Sequence, residues 1–580
     1  MLRLMFVRVK STANSPRKSV QIVASKRLGT KIRQEILRHV GVADDEAELE
    51  RLKELAQVLV EQMQQEEPGL FLPKALAQSR VPAGARGSRA GAAEPPLKVD
   101  LRHLREKRRD ILGIHEIYGQ VYDELGFGRI LSTPSARPGM VGLVKQMVLA
   151  RLASPLSKRG SVQHLRENFG IELSLPAVYR MMDQLDDKAI ERLNHSAFTS
   201  ASALFGGKIN LIFYDCTTLY FESVEEDELR RKGFSKENRF AQTQVVLALA
   251  VTSEGIPLGH ELYPGNTAEG NTFKVMLESL ERKWPLAQLV VVADSAMLSE
   301  DNIKLLEKKK LSYIVGGRLK RLKEPLTQQV KDHAGRCRAA DAARAADGAT
   351  VAAEGAEADL VRLGSIPVDQ SSRLVISYSP VRARKDAHER EKMIQKLTVK
   401  LGKHGRVKGV IGQRGYGRFL SVDKDAALSL NELAIAAAAA WDGLHGVRTN
   451  LLNLSEAEVL SQYHGLWQVE DCFRVSKHDL RIRPIYHWTQ RRIRAHTALC
   501  FMALCCVRHL MYRVKLQQGA MSADAIRRAL LSVQASIYED QKTGQVYQLP
   551  GRCLASAEKL YKTMGLKLRV QARRLGPAGR

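Results

Sequence analysis

The 580-residue sequence predicts an α/β protein built around a mixed β-sheet. Between residues 206 and 266, three apolar runs follow one another, and a turn at Glu254 and Gly255 separates the second run from the third, which is typical of consecutive strands. A helical pattern, a fourth apolar run at 288–294, a second helical pattern and the run LSYIVGGRL come next. Three strands followed by helix, strand, helix and strand is the element order of a ribonuclease-H-like sheet.

Two acidic residues lie on these predicted strands. Asp215 follows KINLIFY on the first, and Asp294 ends VVVAD on the fourth. In a ribonuclease-H-like sheet the first and fourth strands are neighbours, so the two carboxylates are expected to lie within a few ångströms of each other. Nearby carboxylates repel unless a cation lies between them, and oxygen ligands suit Mg²⁺ or Mn²⁺. The alternative for Asp294 is loop polarity or a cap for the helix that follows.

Charge points to the class of partner. The chain has 90 Lys and Arg against 63 Asp and Glu, a net charge of +27. Residues 471–580 carry 21 Lys and Arg against 6 Asp and Glu, a surplus more concentrated than solubility requires. Such a surplus favours a polyanionic partner, either nucleic acid or an anionic membrane surface, and we expect nucleic acid.

Other sequence features exclude several protein classes. No run of 18 apolar residues predicts a membrane span, and the N-terminal residues lack the pattern of a signal peptide. The 7 Cys show no CxxC spacing, which argues against a disulfide framework and a structural zinc site. A cytoplasmic protein is expected.

The stretch 461–488, SQYHGLWQVEDCFRVSKHDLRIRPIYHW, supplies a third acid. It is predicted to be helical from about 455 to 478. Tyr463, Glu470 and Lys477 recur in it at seven-residue spacing, so they are expected near one face, about two turns apart. The alternative is an amphipathic helix with ordinary surface charges.

Together these motifs resemble a DDE-type insertion-sequence transposase of the insertion sequence four superfamily, which has the signature Tyr-x2-Arg-x3-Glu-x6-Lys. Tyr463, Glu470 and Lys477 match three of the four signature positions, and Leu466 stands at the Arg position. Asp215 and Asp294, named above, match the first and second acids. The blocks PGNTAEGNTF, DGLHGVRTN and RIRPIYHWTQRRIRAHTALCFMAL also resemble family blocks, and the resemblance covers most of residues 1–515.

The resemblance implies a metal-dependent reaction on DNA. Asp215, Asp294 and Glu470 would be the catalytic, metal-binding acids, holding two divalent ions, Mg²⁺ or Mn²⁺, roughly 3.5–4 Å apart. The ends of the insertion sequence would be nicked, and the freed 3′-OH would attack target DNA. Both ends must be brought together, so the resemblance implies a homodimer on paired ends of double-stranded DNA, with no membrane partner.

Further residues are expected to bind DNA. Tyr463 and Lys477 would hold the backbone near the cut, and Trp467 would stack on an unpaired base. Arg474, His464 or Arg481 would supply the charge that Leu466 lacks. Upstream, SVQHLRENFGIELSLPAVYRMMDQL has the outline of a helix-turn-helix that would place Tyr179 and Arg180 near DNA, although any helical hairpin gives the same pattern.

The predicted organisation is a ribonuclease-H-like catalytic domain with a β-rich insertion, preceded by an N-terminal strand/helix region and a helical DNA-binding region. The predicted regions are an N-terminal strand/helix domain (1–78), a linker (79–97), a helical DNA-binding region (98–205), the first part of the catalytic domain (206–320), a β-rich insertion (321–430), the last part of the catalytic domain with the third acid (431–515), and a basic helical C-terminal tail (516–580).

Two alternatives to a transposase remain open from the sequence. One is a ribonuclease-H-like nuclease that cuts DNA without joining it. The other is a catalytically inactive DNA-binding regulator, against which the intact set of Asp, Asp and Glu argues. The expected location is the prokaryotic cytoplasm, in association with the nucleoid.

Overall fold

The computed structural model describes residues 5–12, 15–28, 31–43, 46, 49–50, 52–53, 56–57, 99–130, 139–233, 241–281, 289–297, 299–346, 361–403, 417–422 and 428–575. Its strands are β1 (Met5–Thr12), β2 (Ser15–Leu28), β3 (Lys31–Ala43), β4 (Leu104–Ile111), β5 (Leu211–Tyr220), β6 (Gln244–Thr252), β7 (Pro257–Pro264), β8 (Val290–Ala293), β9 (Ser312–Gly316), β10 (Arg362–Pro367), β11 (Arg373–Tyr378), β12 (Leu420–Val422), β13 (Leu428–Leu430), β14 (Leu444–Thr449), β15 (Gln534–Asp540), β16 (Val546–Pro550) and β17 (Arg573–Leu575).

The α-helices in the same ranges are α1 (Gly119–Glu124), α2 (Met140–Ala153), α3 (Lys158–Phe169), α4 (Leu175–Gln184), α5 (Asp187–Leu204), α6 (Glu269–Glu281), α7 (Glu300–Lys308), α8 (Leu326–Ala346), α9 (Pro380–Lys403), α10 (Glu432–Ala439), α11 (Glu456–His464), α12 (Trp467–Arg474), α13 (Gln490–Gln518), α14 (Ala523–Leu531) and α15 (Ala555–Thr563).

The chain forms two compact units. The first comprises Met1–Ile209, Cys216–Asn266 and Val469–Arg580, and the second comprises Asn210–Asp215 and Thr267–Gln468. The boundary falls within β5, whose first half belongs to the second unit, and again within α12.

The second unit is built on a mixed sheet in the order β10-β11-β14-β9-β8-β5. β5, β8 and β9 run parallel, while β14, β11 and β10 continue the sheet in antiparallel pairs. The parallel strands are continuous apolar runs such as VVVA, because side chains on both faces of these strands are buried. The α/β sheet predicted from the order of apolar runs is therefore present.

The β-rich character predicted for residues 321–430 is wrong for the part that the structure describes. That part contains α8 and α9, with 21 and 24 residues, against strands of only 6 or 3 residues. β10 and β11 extend the main sheet, and Val330 and Ala334 of α8 pack with Ile366 and Leu374. Within this region, α8 ends at Ala346, and residues 347–360 lie outside the described ranges.

The first unit begins with an antiparallel sheet in the order β1-β2-β3. These three strands lie in the N-terminal strand/helix domain predicted at 1–78. Residues described between 46 and 57 are helical, and Leu49 and Ala56 pack against Val20 and Ile22 of the sheet. The linker predicted at 79–97 lies outside the described residues.

The long helix α13 forms the core of the first unit. Most of its side chains from Ile493 to Leu510 are buried, including Cys505 and Cys506. α13 is long and apolar enough to span a membrane by length and composition, but 83% of its most apolar window is buried inside the protein. This burial is that of a core helix.

The structure corrects the prediction of a basic helical tail at 516–580. The segment contains α14 and α15, but β15, β16 and β17 form a sheet with β4 in the order β17-β16-β15-β4. The described residues of the region 98–205 are mostly helical apart from β4. Its predicted helical hairpin is present as α3 and α4, with the intervening Gly170 at a φ of 64°.

Candidate active site

Strand register places Asp215 and Asp294 side by side. β5 and β8 are parallel, and Tyr214 pairs with Ala293. The residues that follow this pair are Asp215 and Asp294. Neighbouring strands lie roughly 4.8 Å apart, so the two acids are adjacent in the sheet. Asp294 is exposed and Asp215 is half-buried.

The turn after β8 holds Asp294 in place. Its Oδ1 accepts a hydrogen bond of 2.6 Å from the backbone N–H of Ser295. Arg318, which follows β9, donates to the carbonyl oxygens of Ser295 at 2.8 Å and Ala296 at 3.2 Å. The cap of α7 is Ser299, which accepts from the N–H of Asn302. Asp294 therefore does not cap that helix.

Tyr463 lies against this pair of acids. Its hydroxyl is 3.4 Å from Oδ1 of Asp294. Burial, reinforced by the charges of Asp294 and Asp215, raises the pKa of Tyr463 well above its usual value, so the phenol stays protonated at neutral pH. A Cβ on Gly316 would lie 2.5 Å from the phenol oxygen, so the approach of Tyr463 requires a glycine there.

His445 completes the surroundings of Tyr463 and was missed as a site residue by sequence reasoning. Its ring centroid lies 5.1 Å from that of Tyr463. Burial, together with the nearby charges of Arg382 and His464, lowers the pKa of His445 to about 4 even though Asp294 acts in the opposite direction. The imidazole is therefore neutral at pH 7. His445 belongs to the block DGLHGVRTN, so a sequence signal for it existed.

The predicted single helix from 455 to 478 is interrupted. α11 ends at His464, a turn occupies Gly465 and Leu466, α12 follows, and Val475–Asp479 form a π-helical segment. A Cβ on Gly465 would collide with the ring of Phe213, which explains the glycine at this turn. Leu466 is only 9% exposed, so it packs as a core residue where the family signature has Arg.

Glu470 and Lys477 belong to the first unit. Glu470 is exposed on α12, and its neighbour Asp471 is fixed by a hydrogen bond of 2.6 Å from Arg508. Lys477 donates a 2.7 Å hydrogen bond to the hydroxyl of Thr217 on β5. The side chain of Lys477 therefore has a defined position.

The predicted DNA-binding residues differ in their environments. Trp467 is 56% exposed, and Arg481 is exposed with a φ of 45°. Arg474 pairs with Asp471 at 2.8 Å and with Asp479 at 3.5 Å, so its charge is already compensated within the protein. In the predicted helical hairpin, Tyr179 packs under the guanidinium of Arg492, with 4.8 Å between that group and the ring centroid.

The acid pair suits a hard divalent cation, because two adjacent carboxylates repel unless a cation neutralises them. Within the described ranges, however, no three His, Cys, Asp or Glu side chains form a group that could hold a metal ion. The structure therefore brings Asp215 and Asp294 together, and it does not test the role of Glu470.

Comparison with solved structures gives distant likenesses. The chain is similar to the piggyBac transposase in its synaptic complex with hairpin DNA, with 10% identity over 72% of this chain and 76% of that chain and a TM-score of 0.35. It is also similar to the Mos1 transposase paired-end complex with the left transposon end, with 14% identity over 31% of this chain and 60% of that chain and a TM-score of 0.14. Neither likeness is close enough to support a structural argument.

Comparison by sequence is more informative. No curated protein sequence matches the chain. The family model for the Transposase DDE domain matches residues 206–506, which is more than half of the chain and includes both strand acids and Glu470. The protein therefore belongs to the Transposase DDE domain family and is an enzyme of DNA cleavage and transposition.

Proposed function

We propose that the protein cleaves DNA strands at the ends of an insertion sequence in a metal-dependent reaction and joins the freed 3′-OH to target DNA. The observation that supports this proposal is the parallel register of β5 and β8, which puts Asp215 beside Asp294. Tyr463 lies against this pair, with its hydroxyl 3.4 Å from Oδ1 of Asp294. Its contact favours the signature branch of the insertion sequence four superfamily.

Each named residue has a role in this proposal. Asp215 and Asp294 would hold Mg²⁺ or Mn²⁺, and Glu470 is assigned as the third ligand from its match to the signature. When bound there, divalent ions would supply activation of the attacking water or 3′-hydroxyl and neutralisation of charge on the leaving oxygen. The protonated phenol of Tyr463 would donate a hydrogen bond to the DNA backbone near the cut. Lys477, held by Thr217, would place a positive charge beside that backbone.

The partner of this reaction is double-stranded DNA, first at the element's ends and then at the target. The net charge of +27 supports this partner, since phosphate neutralisation dominates protein affinity for DNA. A homodimer on paired ends is proposed because one reaction must process both ends. A cytoplasmic, nucleoid-associated location is proposed from the same partner.

A strand-transfer assay tests the proposal. The DNA flanking the coding sequence should show inverted repeats, and these supply the end sequence. An oligonucleotide ending in a recessed 3′-OH at the repeat is incubated with supercoiled plasmid and the full chain in Mg²⁺, Mn²⁺ or EDTA. We expect joined products with either metal ion and none in EDTA.

The alternatives give different products in the same assay. A nuclease without strand transfer would cleave intact element ends in Mg²⁺, but it would not join the oligonucleotide to the plasmid. An inactive regulator would bind the ends without cutting them. Joining in EDTA at the rate seen in Mg²⁺ would contradict the metal dependence.

A further inference from the structure

Two large aromatic side chains are exposed on the loop between the π-helical segment and α13. Tyr486 is 68% exposed and Trp488 is 62% exposed, although only one residue separates them. Single exposed apolar residues are common on protein surfaces, but neighbouring aromatic residues of this size are typical of a binding surface. This loop, residues 481–489, is called the aromatic loop.

Buried hydrogen bonds hold the start of the aromatic loop. Arg151 on α2 is buried and donates to the carbonyl oxygens of Leu480 at 2.8 Å and Arg481 at 3.2 Å. The carbonyl of Ile482 lies 2.9 Å from Nε2 of His496, another buried residue. Arg481 has a φ of 45°, a left-handed conformation that a non-glycine residue keeps only where its surroundings enforce it.

Packing holds the rest of the loop. Ile482 and Ile485 are buried, and Ile485 forms a parallel bridge with Phe221. Inward-pointing isoleucines thus anchor the chain on one side, while Tyr486 and Trp488 extend from the other. A fixed backbone lowers the entropy that these rings lose when they bind a ligand.

The indole ring has a second support. The guanidinium carbon of Arg230 lies 5.2 Å from the centroid of Trp488. Arg230 is buried, and Asp227 accepts a 2.7 Å hydrogen bond from its Nε, so the cation itself is fixed. Trp488 is therefore held in place while most of its surface remains exposed.

The aromatic loop and the first residues of α13 are strongly basic in sequence. Residues 481–494, RIRPIYHWTQRRIR, contain five arginines and no acidic residue. Arg492 is paired with Asp183 at 2.8 Å, whereas Arg481 and Arg491 are exposed to solvent. Aromatic rings set among arginines fit a ligand that has both phosphates and flat bases, which is a nucleic acid strand.

We propose that Tyr486 and Trp488 form a stacking surface for unpaired bases of the DNA substrate. In a duplex the bases present their edges in the grooves, so an aromatic ring reaches a base face only where pairing is interrupted. This inference rests on the proposed function, because the unpaired bases arise where DNA is opened at an element's end.

The test compares two DNA molecules of equal length and sequence that differ only in pairing. One is a complete duplex from the element's end, and the other contains a stretch of mismatched, unpaired bases. Binding of the full chain to each is measured by fluorescence anisotropy in EDTA, which keeps metal-dependent cleavage out of the measurement. The variants are Tyr486→Ala, Trp488→Ala and Trp488→Phe, with Leu101→Ala as an exposed apolar control in the same unit.

Each Ala substitution should weaken binding of the DNA with unpaired bases by roughly 5- to 150-fold, the range for loss of one base stack. Binding of the complete duplex should change by less than about twofold, because the surrounding arginines still contact its phosphates. Trp488→Phe keeps an aromatic face and should lose less than Trp488→Ala. Leu101→Ala should leave both affinities unchanged.

Several results would overturn the inference. Equal weakening for both DNA molecules would mean that the rings make no contact specific to unpaired bases, and unchanged binding would mean that they make none at all. A change in oligomeric state with Trp488→Ala, at unchanged DNA affinity, would assign the surface to a second copy of the chain. Failure of the wild type to join DNA in Mg²⁺ would instead count against the proposed function, which this binding test does not use.

Discussion

The acid-bearing strands β5 and β8 and the C-terminal strands β15–β17 differ in how their sequences relate to their structure. β8 is the continuous apolar run VVVA, buried except at its start, and the sequence predicts it directly. β15, QASIYED, alternates between buried and partly exposed residues and pairs with β4, where Arg109 and Ser536 lie 427 residues apart in sequence. A strand buried on both faces is visible locally, whereas a half-exposed strand is defined by a distant partner.

The largest expected effect is the loss of DNA cleavage when an acid at β5 or β8 is replaced. Asp294→Asn keeps the size of the side chain but removes its charge, and it should slow cleavage of element ends by more than roughly 1000-fold, since several kcal/mol of charge stabilisation depend on bound ions. Asp215→Asn should behave alike, because its position in the register is equivalent. Single-turnover cleavage in Mg²⁺ measures the loss.

The matched control for these acids is Asp301→Asn, an exposed carboxylate on α7 of the same unit. It should cleave at nearly the wild-type rate, and all three variants should still bind DNA in EDTA. Cleavage by Asp294→Asn at the wild-type rate would remove that residue from the site.

The second prediction tests whether the C-terminal segment, residues 516–580, packs as part of the folded protein. Leu560 on α15 is fully buried, and Leu560→Ala should lower the free energy of unfolding by about 2–5 kcal/mol, because the change leaves a cavity. Leu554, just before the same helix, is exposed, so Leu554→Ala should change that free energy by less than about 0.5 kcal/mol. Chemical denaturation followed by circular dichroism measures both variants. Equal, negligible effects would restore the description of residues 516–580 as a tail.

The third and smallest effect concerns the turn between α11 and α12. Gly465→Ala would push a methyl group into the ring of Phe213 and should cost about 1–3 kcal/mol of unfolding free energy, as overpacking does. Gly335→Ala on α8 is the control, because nothing lies within 4 Å of the added atom. It should stabilise the protein by about 0.5–1 kcal/mol, since Ala is favoured over Gly inside a helix. A stable Gly465→Ala protein would show that Phe213 can move aside.

Prediction of the fold from the sequence was most accurate for the buried strands next to the two acids. The apolar runs around Asp215 and Asp294 predicted strands, and the element order predicted that these strands are neighbours, which the register confirms. The sequence does not predict the helices α8 and α9, because charged and Ala-rich residues such as those of α8 resemble a surface loop.

The candidate site was only partly predictable. Tyr463 was expected to hold DNA, and the structure adds its hydroxyl contact with Asp294. The compensating role predicted for Arg474 did not take into account Asp471, which pairs with it at 2.8 Å. The family signature predicts a positive charge at position 466, whereas Leu466 is a buried packing residue.

The sequence by itself determined the strands that carry Asp215 and Asp294 and the family to which the chain belongs, because continuous apolar runs and ordered motifs are properties of contiguous residues. Tertiary structure decided the break at Gly465, the burial of Leu466 and the pairing of β15 with β4. Each of these depends on atoms far away in the chain, such as the ring of Phe213 or the backbone of β4. A steric clash or a hydrogen bond with residues so distant in the sequence produces no pattern in the local sequence.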